Sequence, residues 1–488
     1  MKKHLTRRRF LATLGATAGV GIAGKSLFNI SKVLAQGPYV RPNVAGLTIT
    51  SPAIVSYIAG IQAMQALPVT NPLSWAYQAA IHGTTMAGMN AGWNTCAHGN
   101  DFFWSWHRMY LYWFERIVRS QSGDSTFALP FWDWQTNPTL PSMFQNTGSP
   151  TLHVAARNVT INSGVGGVGN QTPGVNTAFA QPIYEGASGA VSLIQSPHGS
   201  VHVNVGGWMS SILTAAQDPI FYLHHANCDR LWNLWLAQGG LQSDPTSDTA
   251  WGSQVFVFFD ENGNQQNMTS CDVLRAAQQL GYSYEGEPAQ VNQYCGNPPL
   301  CNADYHVLID NCIGNPPFYL APGPYQYFYF DVDPQLAKQI LGYIKQPGYT
   351  VYMQYYGVTA PTQPGITWDV YVGLPIGTKP KPGSPYYVGT YGMYGAGIAD
   401  QPPDGNDPAS FSFPLNVALA KTLKKNQLKV PVTFFPSGVR GLSTGGPSQK
   451  STPTIQQAQL TLQVVTPTGT AGTRNHEEAM RGMPMTHK

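Results

Sequence analysis

Eight of the twelve histidines fall between positions 82 and 225, and six of them are spaced as ligands of a buried metal site would be. His198 and His202 are four apart, which on a helix puts both rings on one face about one turn apart, within reach of one ion. His98 and His107 are nine apart and need a loop residue and a helix residue that converge. Local punctuation places the others. Asn71-Pro72, Ser196-Pro197 and Asp218-Pro219 each join a capping side chain to a proline. This predicts helix starts ahead of His82, of the pair His198/His202, and of the doublet His224/His225. A further helix is predicted from near Ser105, with His107 in its first turn, to a stop at Ser122-Gly123. Four helices with histidines near their starts can surround a small metal site, as bundle cores do. Six neutral imidazoles without a carboxylate or thiolate cluster favour copper, zinc, iron or nickel over magnesium or calcium. Three on each of two ions leave positions open for a small bridging ligand. The spacing does not choose between copper and zinc.

At 488 residues the chain is long enough for two folded units after a leader. Only 10% of residues are charged and the formal net charge is +3. Much of that excess lies in Lys2, Lys3, Arg7, Arg8 and Arg9, so charge points to no nucleic-acid or membrane-surface partner. Residues 1–35 read as a targeting leader. Thr6-Arg7-Arg8-Arg9-Phe10-Leu11 precedes LATLGATAGVGIAG, and Val33-Leu34-Ala35 forms a small-residue cleavage site. It looks like a twin-arginine signal, which predicts export to the periplasm or beyond. Its apolar run, about 14 residues and glycine-rich, is too short for a stable membrane span.

Residues 36–320 carry nearly all the histidines and read as a mainly α, metal-binding catalytic domain. From 321 to 467, segments such as YTVYMQYYGV, LKVPVTFFP and AQLTLQVV alternate aromatic and β-branched residues between Pro and Gly breaks. They predict a β-rich, sandwich-like second domain. Residues 468–488 read as a flexible polar tail. Cys271, Cys295, Cys301 and Cys312 crowd into 42 positions, and an oxidising compartment would permit two disulfides there, in any of three pairings.

The segments CAHGNDFFWSWHRMYLYWFE (96–115), SPHGSVH (196–202) and DPIFYLHHANCDRLW (218–232) resemble the copper-site signatures of the tyrosinase, catechol oxidase and molluscan haemocyanin family. The likeness holds in order and interval over roughly 80–240. It implies two copper ions, one on His82, His98 and His107 and the other on His198, His202 and His225, with O2 as co-substrate. His225 is chosen over His224 on the family pattern, leaving His224 to pack behind the site. The resemblance also implies a thioether between Cys96 and His98, Phe221 stacked over the second copper's imidazoles, and Asn227, Asp229 and Arg230 supporting the cofactor site from behind. A β-rich domain would cover the coppers. The implied substrates are small phenols and catechols. An o-diphenol gives up two electrons and leaves as an o-quinone, and a monophenol is first hydroxylated ortho to its oxygen.

Two positions depart from the family. Many members place a Glu three or four residues before the first histidine of the second site, and often an Asn just after it. Here Gln195 (or Ile194) and Gly199 stand there. A glutamine amide cannot serve as a carboxylate base, so diphenol oxidation is expected to outrun monophenol hydroxylation. Ile212, thirteen before His225, falls where the family places a gate over the second copper, and an aliphatic gate leaves room for bulky phenols. Competing readings are an o-aminophenol oxidase, a haemocyanin-like O2 carrier without catalysis, and a dizinc hydrolase. The leader counts against the carrier, and the lack of carboxylates among the histidines counts against the hydrolase.

Overall fold

Backbone N–H groups at a helix start need acceptors, and two of the four helices that carry histidines begin at a side chain that provides one. The computed structural model describes residues 38–467 apart from interior segments, of which 289–300, 395–408 and 438–451 are the longest. The leader and the tail lie outside the described residues. Helix α1 spans Pro52–Gln65 and packs against α3. Helix α2 (Trp75–His82) is capped by Ser74, whose hydroxyl accepts from the Tyr77 N–H. Asn71-Pro72, expected to start this helix, instead forms a turn in which the Asn71 side chain accepts from Leu73 N–H at 2.9 Å. Helix α3 (Phe103–Ser122) ends as expected at Gly123, in the left-handed region at φ 71°.

Helix α4 (Ala190–Val205) departs from expectation, because Pro197 lies inside it instead of at its start. Proline removes one N–H and crowds the preceding turn. Against that stands the burial of Ala190, Val191, Leu193 and Ile194, which carries the helix about two turns ahead of the proline. Helix α5 (Ile220–Leu236) begins directly after Asp218-Pro219, with the Asp218 carboxylate accepting from Ile220 N–H at 3.0 Å. Strand β1 (Tyr39–Arg41) runs parallel to β2 (Tyr282–Tyr284) and ties the first described residues to the end of the helical domain.

Among the described residues beyond 300 the chain forms two four-stranded sheets, beside a short pairing of Phe318–Tyr319 with Thr454–Ile455. The strands of the two sheets are β3 (Cys301–Ile309), β4 (Gln326–Asp331), β5 (Tyr349–Val358), β6 (Thr367–Val372), β7 (Tyr387–Tyr391), β8 (Ala409–Pro414), β9 (Lys429–Ser437) and β10 (Gln457–Pro467). The sheet orders are β7-β6-β9-β4 and β8-β5-β10-β3. Val430, Val432 and Phe434 of β9 and Leu460, Leu462 and Val464 of β10 point into a core of their own, as in a sandwich. The boundary differs from the sequence reading. β3 is paired with β10 from Ile309 to Cys301, so the sandwich opens at 301 and not at 321. β3 lies at the edge of its sheet, with Asn302, Asp304 and His306 alternating with Ala303, Tyr305 and Val307.

The cysteines also depart. Cys271 is disulfide-bonded, but Cys312 is a free thiol buried in the sandwich core. The two disulfides expected in that cluster therefore reduce to at most one. Cys295 and the Cys301 side chain lie outside the described residues. Among the described residues no helix is long and apolar enough to cross a membrane.

Candidate metal centre

His82, the last residue of α2, is fully buried. Its Nδ1 lies 2.9 Å from the Ile212 carbonyl, and its Nε2 has no hydrogen-bond partner among the described residues. A ring that donates from Nδ1 to a carbonyl presents an Nε2 lone pair, the usual posture of a metal-binding imidazole. His107 on α3 repeats the device with the Phe103 carbonyl at 2.7 Å, and His202 on α4 with the Met209 carbonyl at 2.8 Å. His98, on the loop before α3, stands edge-on to His82 and His107 at 5.1 and 5.2 Å between centroids. The Cys96 sulfur is 3.0 Å from His98 Nδ1 and 3.8 Å from its Nε2, so it faces the ring edge that holds the carbon between them.

The second set rests on α4 and α5. His202 and His225 bring their Nε2 atoms within 3.2 Å, and the His198 Nε2 is buried with no hydrogen-bond partner among the described residues. Donor atoms of His82, Cys96, His98 and His107 lie within 4.8 Å of one another, and so do those of His198, His202, His224 and His225. The sets face each other directly. His107 stacks on His225 at 4.1 Å and 5°, and His98 on His198 at 5.5 Å and 22°. Burial lowers the pKa of all seven imidazoles, with mutual repulsion adding to the effect at most of them; His82 and His224 fall to about 3. They are neutral at physiological pH and keep their lone pairs for a metal. Burial pushes the Cys96 thiol up. Neutral nitrogen donors with no carboxylate among them suit copper.

Residues 72–180 and 157–238 match the family model for the common central domain of tyrosinase, and residues 246–293 match the polyphenol oxidase middle domain. The helical domain belongs to the tyrosinase and polyphenol oxidase family. Its cofactor is a pair of copper ions. In this tyrosinase domain His82, His98 and His107 would hold one, and His198, His202 and His225 the other. A tyrosinase of Hahella sp. (strain CCB-MM4) is 32% identical over 283 residues, covering 47% of this chain and 59% of that protein. A chloroplastic polyphenol oxidase latent form of Prunus armeniaca is 31% identical over 292 residues, 50% of this chain and 48% of its own length. The chain thus spans about half the length of the curated relatives it matches. Latent aurone synthase from natural source superposes with a TM-score of 0.63 at 21% identity, over 88% of this chain and 90% of that one. Latent apple tyrosinase gives 0.60 at 20%, over 87% and 97%. At such identities the likeness is one of fold, and it extends across the sandwich.

The other expected residues of the tyrosinase site fall as follows. Phe221 packs on His225 at 4.3 Å and edge-on to His82 at 4.7 Å, so it touches both histidine sets. Ile212 is buried, and its carbonyl anchors His82 of the first histidine set. Gln195 accepts from Gly99 N–H at 2.6 Å and donates to the Val191 carbonyl at 3.2 Å, strapping the His98 loop to α4. Asn227 is buried on α5 and accepts from Arg230 at 3.2 Å.

Sequence reasoning missed Tyr394. Its ring lies parallel to His202 at 4.1 Å and 13°, and edge-on to His98 and His198 at 5.4 and 5.6 Å. Gly199 explains how it gets there. A Cβ at 199 would stand 3.0 Å from the Tyr394 Cβ, and one at 392 would fall 2.8 Å from the backbone of Gly199 and Ser200. The only sequence signal was the run YGMYGAG from 391, which no fixed interval ties to the histidines.

Proposed function

We propose that this chain is an exported copper oxidase that converts o-diphenols to o-quinones with O2, with ortho-hydroxylation of monophenols as a lesser activity. The observation that carries this reading is the face-to-face placement of two buried three-histidine sets across the His107–His225 stack. Bound copper would supply O2 binding and the acceptance of two electrons from the substrate. The chain supplies the rest. Carbonyls of Ile212, Phe103 and Met209 fix three rings, and Phe221 fills the space between His82 and His225 so that water does not. The His202 face under Tyr394 is a platform on which an aromatic substrate would stack. The twin-arginine pattern at 7–9 supports export. Copper-dependent O2 uptake on adding catechol tests the reading, and reversible O2 binding without turnover would favour a carrier instead.

The preference for diphenols rests on Gln195, whose amide is spent on Gly99 and Val191. A glutamate there would keep the acceptor for Gly99 N–H and add a base. Since placed bases contribute on the order of 100-fold or more, Gln195→Glu should raise tyramine hydroxylation relative to catechol oxidation by about tenfold at least. An unchanged ratio would remove position 195 from monophenol chemistry.

We also infer a thioether between Cys96 and the His98 ring carbon that its sulfur faces. Copper-loaded protein exposed to air should yield a peptide containing Cys96 and His98 that is lighter by two hydrogen atoms and inert to thiol reagents. A Cys96 that still labels as a free thiol contradicts the bond.

A further inference from the structure

The second copper set carries one imidazole more than its ion needs. His224 is fully buried, and neither of its ring nitrogens has a hydrogen-bond partner among the described residues. Buried polar atoms in native folds are almost always satisfied, so a pair of orphaned nitrogens on one ring calls for a ligand. The ring is placed to take one. It lies parallel to His198 at 5.2 Å and 13°, and edge-on to His202 at 4.7 Å. One donor atom each from His198, His202, His224 and His225 fall within 4.8 Å of one another. Nitrogens bound to one ion at about 2.0 Å stand no more than about 4 Å apart, so small side-chain rotations close the group around a metal.

His224 and His225 cannot serve the same position together, since consecutive helical residues point about 100° apart. Their surroundings differ accordingly. His225 stacks on His107 and so faces the first copper set. His224 stacks instead on His198 and has Trp134 at 6.0 Å.

We propose that His198 and His202 are shared by two alternative positions for the second copper: an inner one completed by His225 beside the first ion, and an outer one completed by His224. The inner position is the working one. The outer holds the ion away from its partner, as a stage in loading or release, and involves no change of oxidation state. This inference rests on the dicopper reading.

The test uses full-length protein loaded with copper and freed of excess metal. Wild type should retain two coppers per chain, magnetically coupled and nearly silent in electron paramagnetic resonance when oxidised. His225→Ala should still retain two, now uncoupled, so that the signal of isolated Cu(II) rises to account for both. The double variant His224→Ala/His225→Ala should retain one. Loss of the second copper from His225→Ala alone, to the level of the double variant, overturns the proposal and leaves His224 a packing residue. If the double variant does not fold, His225→Ala decides by itself: three nitrogen couplings on its second ion support the outer position, and two refute it. Fewer than two coppers in wild type would overturn the dicopper reading itself, and this inference with it.

Discussion

Replacing Tyr394 with alanine is expected to raise the initial rate of catechol oxidation by the copper-loaded protein roughly tenfold. A segment tethered beside its site presents an effective concentration on the order of millimolar. If a phenol binds that site at about 0.1 mM, within the usual range for substrates, the tethered ring occupies it about nine-tenths of the time. The ring is also held from both ends. Ser196 donates to the Thr390 carbonyl, Ser412 to the Ala187 carbonyl at 2.7 Å, and Gln181 to Tyr352 and Gln463 at 3.0 and 2.8 Å, all across the seam between helical domain and sandwich. Tyr394→Phe keeps the stacked ring and should stay near the wild-type rate. Equal, unchanged rates in both variants would show that the seam, and not this ring, excludes substrate.

Asp229→Ala is expected to cost about 3–5 kcal/mol of stability, the usual penalty for stripping one partner from a buried ion pair. Asp229 accepts from Arg108 at 2.5 Å, from Arg41 at 3.3 Å, and from the hydroxyls of Tyr282 and Tyr284 at 2.5 and 2.6 Å, with both arginines and the aspartate fully buried. The consequence reaches the metal site. Arg108 follows His107 on α3, and Asp229 lies one turn after His225 on α5, so this pair clamps the two helices whose histidines stack across the centre. Loss of the clamp should appear as a lower urea midpoint and as copper released more readily to a chelator. Asp229→Asn, which keeps the hydrogen-bond acceptor, should lose less. Full stability and copper retention in the alanine variant would contradict the clamp.

The two histidine clusters were legible because a metal demands donors at fixed intervals, and helix geometry turns those intervals into sequence spacing. The i,i+4 pair His198/His202 needed nothing else. The choice of copper and of His225 came from resemblance. Contacts without a spacing rule stayed hidden: Tyr394 meets His202 across 192 positions of chain, and Arg41 meets Asp229 across 188. Gly199 was legible only as a departure. Its physical reason, room for the Tyr394 backbone and Cβ, exists only once the sandwich is folded against α4. Local rules failed where tertiary burial overruled them. Pro197 sits inside a helix because the residues before it are buried; β3 is a different case, an exposed edge strand whose place in the sandwich shows only in its pairing with β10. Cys312 was misjudged because proximity in sequence says nothing about whether a thiol faces a partner or a core.

The dicopper oxidase reading stands or falls on loading full-length Tyr394→Ala protein with copper or with zinc, and measuring metal per chain alongside O2 consumption on catechol. The copper protein should hold two ions per chain and consume one O2 for every two catechols converted to quinone, with two waters formed, and the zinc protein should consume none. Turnover with zinc, or two bound coppers without O2 consumption in a chain whose site is open, would contradict it.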